Sequence, residues 1–382
     1  MRKNRLIVFL AGFLFTMPVA LTSYVNSSYL ENFLSDYYVS AAYIAASLLV
    51  IFALMRMPRI MTYFGNRRTA IALCLLAFLS LILLAESANA AIAVSAFILF
   101  FLSANLIVAS LDIFIEDFSR DAAVGRLRGI YLTIINIAWV AAQAISGSII
   151  EQSSFRGIYL FSAIFMLFAA AVFFIFLRDF RDPEYRTPAF IKTLRFYARR
   201  PDLIRIYLAS FILKFFFAWM IIYTPIYLHE YLLFSWSNIG FIFTIMLTPF
   251  VLLDFPLGKL SDKIGEKKLL LFGFALIALA TLAIPLISTA VIFVWAGILF
   301  LTRVGAATIE IMSESYFFKA VNEEHADAIS FYRNTSALSF IIGPLAAIIC
   351  LAFIPSFQYL FFILAAILLV GFFLVLRLRD IK

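Results

Sequence analysis

Charged side chains are scarce in the long apolar stretches of this chain, so the few that occur there are the first candidates for chemistry. Lys214 and Arg303 each lie about 15 Å, at 1.5 Å per residue, from one end of an apolar run. A charge at membrane depth needs a partner or a wet cavity. Two cations at one depth would attract an anionic group on a solute; alternatively, a cavity solvates each or backbone carbonyls cap it. Asp254, Glu310 and Arg333 lie nearer the same end, with Glu314 one helical turn beyond Glu310. They read as an ion cluster that closes a gate, with proton carriage by Glu310 or Asp254 as the sharper option. The first half offers only neutral polar groups at depth: Asn105, and Asn136 and Gln143 seven residues apart. These could bind a solute, but ties between helices worth about 0.6 kcal/mol each are favoured.

The elements that position these residues follow from composition. Of 382 residues, 65% are hydrophobic and 14% charged, with a mean hydropathy of +1.04. That is too little polar surface to cover a core in water, so the bilayer is the expected solvent. The apolar runs are long and continuous, which selects helices over a barrel. The net charge of +8 sits in short loops, so it reports topology and not nucleic acid. Cys74 and Cys350 read as small apolar core residues, set too far apart to bridge. His229 and His325 show no ligand spacing, and no metal site, P-loop, dinucleotide fingerprint or nucleophile–base constellation occurs. No enzyme and no cofactor are expected.

Twelve runs are long enough to span: 6–24, 39–57, 69–85, 90–111, 129–150, 158–176, 203–228, 239–257, 269–286, 290–312, 328–353 and 357–376. Arg2, Lys3 and Arg5 before the first run mimic a signal peptide, but the run is long for one and the repeat below needs it. Adding about 200 to each run of the first half gives a run of the second: the Gly65 loop falls on the Gly265 loop, and Ala90 on Ala290. The expected organisation is a bundle over 1–177, a linker over 178–202 and a second bundle over 203–382. Basic residues cluster at both ends and in alternate loops, which places those loops and both termini in the cytoplasm. In the linker, Thr187-Pro188 predicts the start of an amphipathic helix on the inner leaflet, with Phe190, Ile191, Leu194 and Tyr197 on one face and Pro201 as its stop.

Between the eighth and ninth runs stands Gly258-Lys-Leu-Ser-Asp262-Lys263-Ile-Gly265-Glu-Lys267-Lys268. This resembles the loop signature of the major facilitator superfamily. The matching first-half loop keeps Gly65, Arg67 and Arg68, but carries Pro58 for the first Gly and Thr62 for the Asp. After the fourth run, Glu116, Asp117, Arg120, Arg126 and Arg128-Gly129 are similar to the acidic residue and Arg-Gly that members carry there. The Gly-Pro of drug antiporters is missing from the fifth run, which reads Gln143-Ala-Ile-Ser-Gly147-Ser.

The resemblance covers nearly the whole chain. It implies an all-α membrane fold of two pseudo-symmetric six-helix bundles rocking about a central site, with helices 1, 4, 7 and 10 lining the cavity. Lys214 and Arg303 would then stand on lining helices, and Asp262 would meet the helix beginning near Arg126 and Arg128. The expected function is secondary transport of a small solute, an anionic one being favoured by the two cations. Export of amphipathic compounds, or a sensor that has lost transport, are the alternatives. The expected partners are the solute, membrane lipids and a coupling proton or other ion, with no nucleic acid and no second protomer. The expected location is the inner cell membrane.

Overall fold

The computed structural model describes residues 2–118, 124–178, 180, 182–183, 185, 190–321 and 326–380. Side chains are described at these positions except 2–5, 116–118, 124–128, 190–192, 194, 254–255, 262, 326–327 and 329–330. Apolar backbone in lipid must satisfy its hydrogen bonds internally, and the described residues form helices with no strand. The first half gives α1 (Arg2–Ser23), α2 (Asn26–Glu31), α3 (Asp36–Phe64), α4 (Asn66–Glu86), α5 (Ala90–Phe118) and α6 (Val124–Phe176). The second gives α7 (Phe190–Ala198), α8 (Pro201–Ile226), α9 (Trp236–Leu252), α10 (Asp254–Ile264), α11 (Glu266–Ala283), α12 (Ile292–Ala320), α13 (Ala326–Leu351) and α14 (Tyr359–Leu376).

Ten of the described helical stretches are long and apolar enough to cross a membrane. One of them, Gly129–Phe176, is two spans joined at Ser154, whose φ of 58° breaks the helix in a single residue. Counting it twice and adding the shorter apolar helix α9 brings the number to twelve. The loop expected between the fifth and sixth runs is therefore replaced by one strained residue. The eighth run also differs. It ends at Leu252, bends at Leu253 and restarts as α10, where Pro256 falls in the first turn and its missing N–H costs nothing. Asp254 thus opens a helix and does not lie inside one.

Contacts divide the chain into two units, residues 1–187 with 235–240, and residues 188–234 with 241–382. In the first, α1 packs on α6, α4 on α5 and α6, and α3 on α5. In the second, α8 packs on α13 and α14, α11 on α12 and α14, and α10 on α12. The α4–α5, α4–α6 and α3–α5 pairs of the first unit thus return as α11–α12, α11–α14 and α10–α12. The backbones of α11 and α12 approach closely at Gly273 and Gly305, where a Cβ on Gly305 would stand 2.8 Å from the Gly273 carbonyl oxygen.

The same turn occurs in both units. Gly65 (φ 80°, ψ 152°) separates α3 from α4, and Gly265 (φ 87°, ψ 152°) separates α10 from α11, a region of backbone space that only glycine enters readily. Their N–H groups close the preceding helix on Met61 O at 2.8 Å and Ser261 O at 2.9 Å. Beyond Gly65, Asp182 caps α4: its Oδ1 accepts the Asn66 N–H at 2.6 Å and the Tyr185 hydroxyl at 2.5 Å.

The linker helix α7 starts at Phe190; Thr187 and Pro188 lie outside the described residues, as do the side chains of Phe190, Ile191 and Leu194. The expected membrane-facing side meets protein at Tyr197. Its hydroxyl donates to Ala328 O at 2.8 Å and its ring packs on Phe331. Burial pushes that phenol well above the ordinary tyrosine range. Pro201 serves as the first residue of α8.

Candidate functional site

The second unit gathers charge between α8 and α12. Lys214 on α8 donates to Glu310 on α12 in a short charge-assisted hydrogen bond, and both side chains keep about a quarter of their surface open, 25% and 29%. The counting of depth along each helix had put these two residues in separate groups. The geometry brings them together because Lys214 and Glu310 face one another across the α8–α12 contact.

Arg303 lies two helical turns from Glu310 on α12 and is 1% exposed. Its guanidinium stands 5.0 Å from the ring centre of Phe216 and 5.7 Å from that of Phe217. The Lys214 ammonium is 5.2 Å from the same Phe217 ring, so one aromatic face region serves two cations. Phe216 and Phe217 were not singled out from the sequence; their position two and three residues after Lys214 was the available signal. Glu314, one turn beyond Glu310, is half-buried, and Arg333 is exposed on α13.

In the first unit the spans hold fewer charges; Asp112 is half-buried on α5, within a span. Gln143, 1% exposed, donates from Nε2 to Ala20 O at 2.7 Å and ties α6 to α1. Asn105 donates to Phe101 O of its own helix at 2.9 Å. Asn136 is half-buried on α6. Gln143 thus stands in a structural tie between helices, and Asn105 spends its donor locally.

Of the signature loop, Gly265 and Gly65 hold the positive-φ turns described above. Gly258 has open space where a Cβ would project, and Lys263 is exposed. Arg67 binds the carbonyls that end α6, Phe173 O at 3.1 Å and Phe174 O at 2.6 Å, while Arg68 is exposed. Thr62 donates to Pro58 O in its own helix at 2.8 Å. The side chains of Asp117, Arg126, Arg128, Asp254 and Asp262 lie outside the described residues.

Lys214 is held by a carboxylate across facing helices and Arg303 lies against neighbouring rings, and the helical repeat says what kind of protein carries them. The family model described as Major Facilitator Superfamily matches residues 7–295 and 224–382. The chain belongs to the major facilitator superfamily. Among solved structures it is similar to a mutant of the nucleoside transporter NupG, with a TM-score of 0.76 and 12% identity over 98% of this chain and 99% of that one. It is similar also to a bacterial homolog of the human lysosomal transporter Spinster, in an inward-facing and unoccupied conformation (TM-score 0.75, 13% identity, 98% and 96% covered). At such identities the likeness is one of fold. No curated protein matches the chain in sequence at a significant level. As a superfamily member with this many apolar spans, the chain is an integral membrane transporter.

Proposed function

We propose that this superfamily member is a monomeric secondary carrier of the inner cell membrane, with both termini cytoplasmic, that moves a small anionic solute by alternating access. The observation that carries this reading is the Lys214–Glu310 pair beside Arg303, between α8 and α12. Glu310 compensates the charge of Lys214, so an anion arriving at Lys214 competes with that carboxylate. Protonating Glu310 frees the ammonium. The anion and the proton then enter together with no net charge, which lowers the cost of moving either through a low-dielectric interior. Arg303, held against two rings, supplies a second fixed cation that the solute need not displace. The energy comes from an ion gradient or from the gradient of the solute.

The experiment is uptake into proteoliposomes of a panel of labelled small anions and their neutral analogues, with and without an inward proton gradient. The expected result is anion uptake that rises with the proton gradient. Lys214→Met and Arg303→Ala should each abolish it, and Glu310→Gln should keep solute exchange while losing the response to the gradient. Transport of an anion left unchanged by both Lys214→Met and Arg303→Ala would overturn the reading.

A further inference from the structure

The last turn of a helix leaves carbonyls that its own N–H groups cannot reach. At the end of α6, two arginines supply donors. Arg67, the second residue of α4, donates from Nε to Phe173 O at 3.1 Å and from Nη2 to Phe174 O at 2.6 Å. Arg178, two residues beyond α6, donates from Nε to the same Phe174 O at 3.4 Å. Two nitrogens at 2.6 and 3.4 Å from one oxygen are at most 6.0 Å apart. The two guanidinium groups also stand 5.8 and 5.6 Å from the centre of the Phe174 ring.

Two like charges this close repel, and more strongly as their surroundings become less polar. The carbonyl end of a helix offsets only about half a charge. Elsewhere an arginine at a helix end meets an acid: Arg156 pairs with Glu86 and Arg205 with Asp202. Among the described residues, neither Arg67 nor Arg178 has a carboxylate within ion-pair distance. The nearby Asp182 turns its Oδ1 to the Asn66 N–H and the Tyr185 hydroxyl. Nη1 of Arg67 and both Nη groups of Arg178 are left for another acceptor. The Phe174 ring between these cations is 55% exposed at the end of a span, so it faces lipid. Ile164, Leu167, Phe168 and Ile175 are exposed too, and with Phe174 they fall within about 120° of the helix surface at 100° per residue. An apolar row thus runs from the two guanidinium groups into the depth of the span.

We propose that Arg67 and Arg178 bind the phosphate of an anionic phospholipid at the end of α6, with its acyl chains laid along Phe174 and the exposed row behind it. A guanidinium fork donates to two phosphate oxygens at once, and one phosphate set between two forks removes their repulsion. The carbonyl bonds hold both forks in place before the lipid arrives, so little side-chain freedom is lost on binding. A free phosphate would use the same N–H groups and leave the apolar row untouched; a phospholipid uses both. The site shares no residue with the Lys214–Glu310 pair, so the two readings stand or fall separately.

The test titrates the full chain in detergent with dioleoyl phosphatidylglycerol and, in parallel, with dioleoyl phosphatidylcholine, and counts bound lipid by native mass spectrometry. The two lipids share their tails, but the choline ammonium cancels the phosphate charge. The expected result is one saturable phosphatidylglycerol site, with phosphatidylcholine about tenfold weaker. Arg178→Gln, at an exposed position, leaves the Arg67 bonds to α6 intact. It should weaken phosphatidylglycerol about tenfold and leave phosphatidylcholine unchanged. Arg56→Gln removes a single exposed guanidinium 4.7 Å from the Phe52 ring and should change neither. Inorganic phosphate should displace the lipid only at about hundredfold excess or more, because it buries no tail. Equal affinity for the two lipids, phosphatidylglycerol binding unmoved by Arg178→Gln, an equal loss from Arg56→Gln, or displacement by a smaller excess of inorganic phosphate would overturn the proposal.

Discussion

Asn66 and Glu266 open the third long helix of their respective units, each directly after a glycine of positive φ. Each reaches the next long helix, but with different chemistry. Asn66 donates from Nδ2 to Ser110 O at 3.0 Å, while its own Oδ1 and the Ser110 hydroxyl are buried without a hydrogen-bond partner among the described residues. Glu266, 2% exposed, accepts from the Ser315 hydroxyl at 3.0 Å and from Lys319 Nζ at 2.5 Å. The first unit ties these helices with a neutral amide, the second with an ion pair. The contrast continues at depth, where Gln143 binds a carbonyl and Lys214 binds Glu310. A duplicated frame therefore does not carry duplicated chemistry. At these two matched places the first unit uses a neutral hydrogen bond and the second an ion pair.

The largest expected effect tests that contrast at depth. Lys214→Met leaves Glu310 partly buried without its cation, and breaking such a pair costs about 3–5 kcal/mol when fully buried, so the lower end applies to side chains a quarter open. Gln143→Leu in the first unit should cost only about 1–3 kcal/mol, the penalty of one orphaned buried carbonyl. Thermal unfolding in detergent compares them, and Lys214→Met with Glu310→Leu together should regain most of the loss. If Gln143→Leu proved the more damaging, the contrast between the neutral tie and the ion pair at depth would fail.

The glycines sharpen the comparison at the next level. Gly65→Ala and Gly265→Ala each force a side chain into strained backbone, at about 1–3 kcal/mol. A Cβ on Gly65 also comes within 2.7 Å of the Asp182 carboxylate, whereas at Gly265 the nearest atom, of Asp380, is 3.7 Å away. Gly65→Ala should therefore lower the melting temperature more, and adding Asp182→Ala should narrow the gap. Equal losses would remove Asp182 from the account of the turn.

The smallest effect concerns salt. Glu266→Gln keeps the shape of the side chain and loses its charge, while Lys319 is 44% exposed. The expected loss is up to about 1 kcal/mol, shrinking as ionic strength rises. Asn66→Ala should show a loss of about 1 kcal/mol that salt does not change. A salt-dependent loss at Asn66, or a salt-independent one at Glu266, would blur the distinction.

Much of the frame was legible in the residues. Run length set the spans, and the 200-residue offset between Gly65 and Gly265 announced a turn that recurs with nearly the same dihedral angles. Rotational phase was harder to read. Counting residues gives the depth of Lys214 and Glu310 but not which neighbour each faces, and so it missed their pairing. Arg303 was expected to meet a solute, a wet cavity or carbonyls; the rings of Phe216 and Phe217, next to a mid-helix lysine, also stand against its guanidinium, and a ring quadrupole attracts a cation. Helix boundaries that depend on a single residue, such as Ser154 and Leu253, leave no compositional mark.

Ser154 sets a strict rule on length. With no linker to absorb a change, each arm of α6 is phased directly to the other. One residue inserted there would turn the second arm by about 100° and shift it about 1.5 Å. That would swing Tyr159 away from Asn26, whose Oδ1 its hydroxyl now meets at 2.9 Å. Insertions harmless elsewhere between spans would at this junction unpick the register of a whole bundle.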